Sequence, residues 1–159
     1  MRQFLELFNP LPGNKYLIAT THADAIAKAL GEKLLHVNGM LSLECYPGEH
    51  EVVEGLHVTC HDIAHFKAPF RAPPREYDMV VFYDIYSKHE YPDRLLKLAY
   101  TTLANTAHLI IMEPKGTLEL PTLLRDLERM EYRAANAIDV LEDYDLVMAK
   151  KMHMWGNGL

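Results

Sequence analysis

The sequence predicts a doubly wound α/β fold, with a mostly parallel sheet of the seven-stranded type that ends in an antiparallel hairpin. Short apolar runs alternate with amphipathic helical segments along most of the 159 residues. Two further apolar runs close the chain on either side of residues 142–144, as in a hairpin. No linker or change in composition divides the sequence. We therefore expect one domain over residues 1–159, with an N-terminal helix and turn at 1–14 and a tail at 154–159.

Composition and charge narrow the class of protein. Hydrophobic residues make up 49% and charged residues 24%, the balance of an ordinary globular chain. The net charge of −6 gives no overall attraction to nucleic acid or to an anionic membrane. No apolar stretch approaches the roughly 20 residues needed to span a bilayer. Residues 1–6 carry an acid and do not resemble a secretory signal. With only Cys45 and Cys60, we expect reduced thiols and a cytoplasmic protein.

The first part of the chain predicts a β-α-β unit. Residues 16–19 form a short apolar run typical of a strand that is buried on both faces. Thr21 is the predicted N-cap of the following helix, and Gly31 is its predicted end. The apolar residues 34–37 then predict a second strand, with Asn38 directly after it. Such a parallel crossover is almost always right-handed.

The later elements follow from the same patterns. Proline is favoured in the first turn of a helix, and the apolar residues that follow each of two prolines have helical spacing. Three prolines make residues 67–76 an irregular loop. The remaining predicted elements are strands at 56–60, 78–84, 108–112, 134–141 and 145–152, and helices that begin at Pro92 and Pro121.

These elements, in this order, resemble the class I methyltransferases that use S-adenosylmethionine. Residues 76–82 resemble the fourth strand of that family, and residues 91–96 resemble the start of the helix after it. Residues 103–114 resemble the fifth strand and its approach, although Asn105-Thr106 replaces the usual pair of glycines. Residues 129–132 stand where the family often has an Ala-Gly-Phe turn. The order and spacing of these segments carry the resemblance.

The resemblance implies a site for S-adenosylmethionine at the carboxyl ends of the strands, where open α/β sheets bind ligands. Asn38 would replace the acid that binds the ribose hydroxyls, and Asp62 would meet the adenine amine. Asp84, at the end of the fourth strand, would hold the substrate or a catalytic group. The residues assigned to the cofactor are Thr20, Thr21, Asn38, Asp62, Ile63 and Tyr83, and the residue assigned to catalysis is Asp84.

One departure from the family pattern concerns the turn after the first strand. The family has a glycine-rich turn there, because a Cβ atom would collide with the ligand. This chain has residues 20–24, with the sequence Thr-Thr-His-Ala-Asp. We expect this change to weaken binding of the donor, and about 1.4 kcal/mol is already a tenfold loss of affinity. The function therefore stays open between two main hypotheses. The first is a divergent methyltransferase of unknown acceptor, and the alternative is a non-catalytic protein of this fold that binds a partner protein.

Other kinds of site are less favoured by the sequence. His57, His61 and His65 recur every four residues, but a strand that runs into a loop does not place them on one face, so we expect no metal site. Residues 60–62 contain a thiol, an imidazole and a carboxylate, yet neighbours on an extended chain point in opposite directions. Residues 66–75 combine phenylalanine and arginine, although the acidic charge disfavours nucleic acid. The sequence leaves self-association and the binding of a different small ligand open.

Overall fold

The structure, a computed structural model, describes residues 2–152, so the predicted tail at 154–159 lies outside the described residues. Its helices are α1 (Arg2–Leu5), α2 (Ala25–Leu35), α3 (Pro92–Thr102) and α4 (Leu120–Arg129). Its strands are β1 (Lys15–Thr20), β2 (Met40–Cys45), β3 (Val58–Asp62), β4 (Tyr77–Tyr83), β5 (Leu103–Pro114), β6 (Tyr132–Ala137) and β7 (Tyr144–Lys151). None of the helices in the described part of the chain is long and apolar enough to cross a membrane.

The seven strands form one sheet in the order β3-β2-β1-β4-β5-β7-β6. Strands β1 to β5 pair in parallel, whereas β7 runs antiparallel to both β5 and β6. The strand order reverses between β1 and β4, because the chain builds outward from β1 to β3 and then returns to β4. The predicted doubly wound fold with a C-terminal antiparallel hairpin is confirmed.

The sheet separates two apolar layers. Alternation along β1 sends Leu17 and Ala19 to the layer that includes α3 and α4. It sends Tyr16 and Ile18 to the layer that includes α1 and α2. Strand β1 is therefore buried on both faces, as expected for the central strand of a parallel sheet.

The predicted second strand at residues 34–37 is wrong. Helix α2 continues through Gly31 to Leu35, and the strand follows at Met40–Cys45. Leu30 and Leu34 are fully buried and four residues apart, so they lie on one face of a helix. The helix also begins later than predicted, because Asp24 is its N-cap and accepts a hydrogen bond from the Ile26 amide at 2.9 Å.

In the half of the sheet that holds β2 and β3, loops take the place of the connecting helices. Residues 46–57 connect β2 to β3, and residues 63–76 connect β3 to β4, with no helix in either segment of the described chain. The predicted irregular loop at 67–76 is therefore confirmed. Strand β3 lies two residues later than predicted, and four of its five residues are exposed. The far edge of the sheet at β3 thus lacks the cover that a crossover helix gives.

Six non-glycine residues of the described chain have a positive φ, a conformation that glycine adopts more easily, and two of them matter for the family resemblance. Thr106 has φ of 70° and Glu131 has φ of 73°. Both belong to the segments in which the methyltransferase family usually carries glycine. A left-handed conformation costs an L-residue about 1 kcal/mol. The irregular first part of β5 and the turn before β6 therefore keep their shape although the glycines are absent.

Candidate functional site

The carboxyl ends of four parallel strands meet at one edge of the sheet. In the strand register Thr20 pairs with Cys45 and with Tyr83, and Cys45 pairs with Asp62. Of the residues predicted for the site, this edge brings together the six that follow or end these strands: Thr20, Thr21, Asp62, Ile63, Tyr83 and Asp84. The topological switch point between β1 and β4 lies at the same edge.

Asn38 does not belong to this edge. It precedes β2, whose first residue, Met40, pairs with Lys15 at the start of β1. Asn38 therefore lies at the opposite end of the sheet, and its predicted position in the site is wrong. The error has the same origin as the misplaced second strand.

Glu44 is the acid that the structure places near the end of β2. Its side chain is buried, and its Oε1 atom lies 3.2 Å from Nδ1 of His61 on the neighbouring strand. Burial raises the pKa of the Glu44 carboxyl, while His61 acts in the opposite direction. The sequence held a signal for this residue, because Leu41 and Leu43 alternate with Ser42 and Glu44 as in a strand.

A cavity of about 450 Å³ opens beside Glu44 at the ends of β2 and β3. We call it the Asp62 cavity. Its polar lining comes from the ends of these strands and from Arg71, and Ile63 and Phe70 supply apolar surface. The lining residues are Glu44, His61, Asp62, Ile63, Ala64, Ala68, Pro69, Phe70 and Arg71. The cavity therefore contains both residues that the sequence assigned to the adenine end of the cofactor.

The backbone groups of the turn after β1 form hydrogen bonds with other groups of the protein. The His22 amide donates to Oγ1 of Thr20 at 3.0 Å, and the Ala23 amide donates to Nδ1 of His50 at 2.9 Å. The Ala23 carbonyl accepts from the Glu51 amide at 2.8 Å. Two amides of this turn, those of His22 and Ala23, are therefore already bonded to side chains.

His50 belongs to a loop, residues 46–51, that packs against the turn after β1. Its Nε2 atom lies 2.7 Å from the Tyr46 carbonyl, so the ring donates there and accepts from Ala23 through Nδ1. A Cβ atom on Gly48 would lie 1.8 Å from the Thr21 carbonyl oxygen. The backbone of this loop thus approaches the turn closely enough that only glycine fits at residue 48.

Asp84, the predicted catalytic acid, is only 8% exposed and has φ of 55°. Its Oδ2 atom accepts from Nζ of Lys88 at 2.8 Å and lies 3.4 Å from Nδ1 of His22. Its backbone carbonyl accepts from Oγ1 of Thr21 at 2.9 Å. The carboxylate is therefore paired with a cation and joined to the turn after β1.

Tyr83 and His22 complete this polar cluster. The Tyr83 hydroxyl donates to Oδ2 of Asp24 at 2.9 Å, and its ring lies 4.6 Å from the His22 ring. Burial, followed by the effect of Asp24, raises the pKa of Tyr83 far above its ordinary value. The Tyr83 hydroxyl thus remains protonated at neutral pH and acts as a donor.

Glu113, at the end of β5, is a buried carboxyl that the sequence analysis did not single out. It is fully buried, Oε1 contacts Oγ of Ser87, and Oε2 has no hydrogen-bond partner within residues 2–152. Burial is the main cause that raises its pKa, and the nearby Asp84 acts in the same direction. Ionisation of Glu113 therefore destabilises the folded state.

We expect Glu113→Gln to raise the free energy of unfolding at pH 7 by about 1 kcal/mol, because it removes a buried charge. The raised pKa means that the folded state holds this proton more tightly than the unfolded state. The parent protein therefore loses stability as the pH rises through the pKa of Glu113 in the folded state. The stability advantage of Glu113→Gln should accordingly shrink as the pH falls toward 4.5. Urea unfolding at both pH values tests this, with the exposed Glu128→Gln as control. A variant that is less stable at pH 7 would contradict it.

The three histidines of the repeating pattern have different partners. Nε2 of His57 lies 3.0 Å from the Gly31 carbonyl, whereas His61 faces Glu44 and His65 accepts from the Lys67 amide. Residues 2–152 contain no group of three or more histidine, cysteine, aspartate or glutamate side chains arranged to hold a metal ion. Cys60 is exposed as a residue, but partial desolvation of its thiol raises the thiol pKa. The thiol therefore lacks the activation of a nucleophile.

Comparison with known proteins finds similarity at the level of structure. No model of a known protein family matches the sequence, and no curated protein matches it. A SAM dependent methyltransferase from Aquifex aeolicus superposes with a TM-score of 0.73 and 15% identity, over 94% of this chain and 88% of the other. An S-adenosylmethionine dependent methyltransferase from Mesorhizobium loti gives a TM-score of 0.71 and 10% identity, over 92% and 94% of the two chains.

A longer enzyme shares the same core. Phosphoethanolamine N-methyltransferase 2 from Haemonchus contortus, in complex with S-adenosyl-L-methionine, superposes with a TM-score of 0.71 and 9% identity. The match covers 96% of this chain and 52% of that one, so this chain spans about half the length of the enzyme. At such identities the likeness concerns the fold alone. The chain has the fold of the class I S-adenosylmethionine-dependent methyltransferases.

Proposed function

We propose that this chain is a non-catalytic protein of the methyltransferase fold, which acts in the cytoplasm by binding a partner protein. One observation carries the proposal. The turn after β1, which a methyl donor would have to approach, bonds its amides to Thr20 and His50 and is covered by Gly48. A donor in the usual pose would have to displace the loop at residues 46–51.

The state of Asp84 supports the same proposal. A residue that binds an acceptor must offer a free hydrogen-bonding group to it. The carboxylate of Asp84 is largely buried and already pairs with Lys88 and His22. In this proposal Asp84 positions the turn after β1 and is not a catalytic residue. Lys88, which is half-exposed, shields it from solvent.

The proposal predicts that S-adenosylmethionine and S-adenosylhomocysteine do not bind saturably at millimolar concentration. The physical reason is that the His22, Ala23 and Ile26 amides already donate to side chains and would have to give up those bonds to hold the donor's amino acid end. Isothermal titration calorimetry and thermal shift measure this directly. A stoichiometric binding isotherm with either compound would contradict the proposal, as would transfer of a labelled methyl group that requires the intact fold.

A second candidate is a divergent methyltransferase that holds its donor in a shifted pose, with the acceptor unknown. The Asp62 cavity favours it, because Glu44 and Asp62 offer acceptors for a nucleoside and about 450 Å³ accommodates a base and sugar. Titration with adenosine separates the two candidates. Saturable binding that Glu44→Gln weakens would support the second candidate, whereas an absence of binding supports the first.

A further inference from the structure

The two edges of the sheet differ in how they are protected. At β6 the pairing with β7 shifts register between Arg133 and Asn136, and Ala134 in this bulge has φ of 53°. A bulge of this kind discourages a further strand from pairing. At β3 all five residues pair with β2 in continuous register, without proline or lysine. The β3 edge therefore has the regular form that accepts another strand.

The outward-facing backbone groups of β3 follow from its hydrogen bonds to β2. The Leu41 amide donates to the His57 carbonyl, and the Ile63 amide donates to the Cys45 carbonyl. Alternate residues of a strand bond to opposite sides, so odd-numbered residues face β2. Val58, Cys60 and Asp62 consequently direct their backbone groups away from the sheet.

In the described chain this edge contacts the loop before β3, where the Cys60 thiol lies 3.7 Å from the Val53 carbonyl, but its outward backbone groups are mostly uncovered. The Val58 amide donates to the Gly55 carbonyl, but within residues 2–152 no backbone hydrogen bond reaches Cys60 or Asp62 from outside the sheet. The side chains of Thr59, Cys60, His61 and Asp62 are exposed. Leu56, just before the strand, is fully exposed. The edge thus combines free backbone groups with exposed apolar surface.

We propose that β3 pairs in antiparallel orientation with β3 of a second copy of this chain, about a two-fold axis through Cys60. In this register each outward-facing residue of β3 lies opposite an outward-facing residue of the second copy. Cys60 meets Cys60 of the second copy, and the two exchange both backbone hydrogen bonds. Asp62 meets Val58 of the second copy, so its free amide donates to the free Val58 carbonyl. The two sheets become one continuous sheet, and this pairing does not depend on any bound ligand.

The side chains of β3 are compatible with this arrangement. Residues 58–60 carry no charge, so the centre of the pairing contains no ionic repulsion. The two-fold axis places the two Asp62 side chains at opposite ends of the paired strands, each facing Val58, which avoids like charges in opposition. Five residues on each side form a small interface, and interfaces below about 1,200 Å² are typical of weak association. We therefore expect a dimer whose dissociation constant lies in the micromolar range.

Light scattering after size exclusion, over about 5 to 500 μM protein, tests the dimer. We expect the mass to rise from one chain toward two with concentration. Cys60→Lys should remain monomeric across this range, because it places two ammonium groups at the axis, whereas Cys60→Ser should dimerise like the parent. Circular dichroism checks that both variants are folded. A parent protein that stays monomeric at the highest concentration, or a Cys60→Lys variant that still dimerises, would overturn the proposal.

Cross-linking reports the register itself. Directly opposed residues of this kind have Cα atoms about 5.5 Å apart, within the range that a disulfide spans. A short bismaleimide should therefore link two copies of the parent protein through Cys60. The link should be absent from Cys60→Ser, in which the buried Cys45 remains as an internal control. A dimer that forms in solution but links only through Cys45 would refute the pairing through β3.

Discussion

Replacing Gly48 by alanine is expected to lower the free energy of unfolding by about 3 kcal/mol, which lowers the melting temperature by about 6–12 °C. The added Cβ would lie 1.8 Å from the Thr21 carbonyl oxygen, a backbone atom that cannot move without the whole turn. The loop at residues 46–51 must then retreat, and the bond from the Ala23 amide to His50 is strained or lost. Thermal and urea unfolding followed by circular dichroism measure the loss.

Gly31→Ala is the matched control for this substitution. Gly31 lies inside α2, and its added Cβ would meet the Leu41 side chain at 3.4 Å, an ordinary contact. Alanine is favoured over glycine in a helix by about 1 kcal/mol, so this variant should be as stable as the parent or more stable. Equal losses from the two substitutions would show that Gly48 has no special contact with the turn.

Asp84→Ala is expected to cost about 2–3 kcal/mol of folding stability, because Lys88 loses its hydrogen bond to a largely buried carboxylate. The substitution removes the acceptor of Lys88 and the neighbour of His22. It also places alanine at φ of 55°, a conformation that aspartate tolerates better. Urea unfolding at pH 7 gives the loss directly.

Asp84→Asn separates charge from backbone conformation. Asparagine keeps the shape of the side chain and tolerates the left-handed region, so it should lose about half as much stability as alanine does. The resemblance to the methyltransferases predicts a catalytic role for Asp84, whereas the proposed function gives it a structural one. If alanine leaves stability unchanged, Asp84 does not hold the turn, and the structural role fails.

Several strands and helices, and the final antiparallel pair, were within reach of the sequence. Buried strands such as 78–84 stand out as apolar runs, and Pro92 marks the start of a helix through its fixed φ and missing amide. Antiparallel pairing of the last two strands followed from the short acidic connection at residues 142–144. These features depend on local chemistry, and the structure confirms them.

The second strand was misplaced because one apolar run fits two structures. Leu34-Leu35-His36-Val37 can continue a helix or form a short strand, and Gly31 suggested that the helix had ended. The spacing of Leu30 and Leu34 favours the helix, and both are fully buried. Because the predicted strand ended at residue 37, Asn38 was assigned to the candidate site instead of Glu44.

The closure of the turn after β1 could not be predicted from the sequence. The sequence shows that residues 20–24 lack glycine, but the contact that covers them comes from Gly48 and His50, more than twenty residues away. Such a contact depends on how the loop after β2 folds back. Propensity and periodicity describe neighbours along the chain and carry no information about it.

The position of β7 has a consequence for how the protein is made. This strand is the last to be synthesised in the described chain, yet it lies between β5 and β6. A nascent chain that ends before residue 144 therefore exposes one side of β5 and leaves β6 without a neighbour. Both apolar layers include residues of β7, namely Leu146 on one face and Val147 and Ala149 on the other. The layers beside β5 are therefore completed only after β7 has been synthesised and is free to pair.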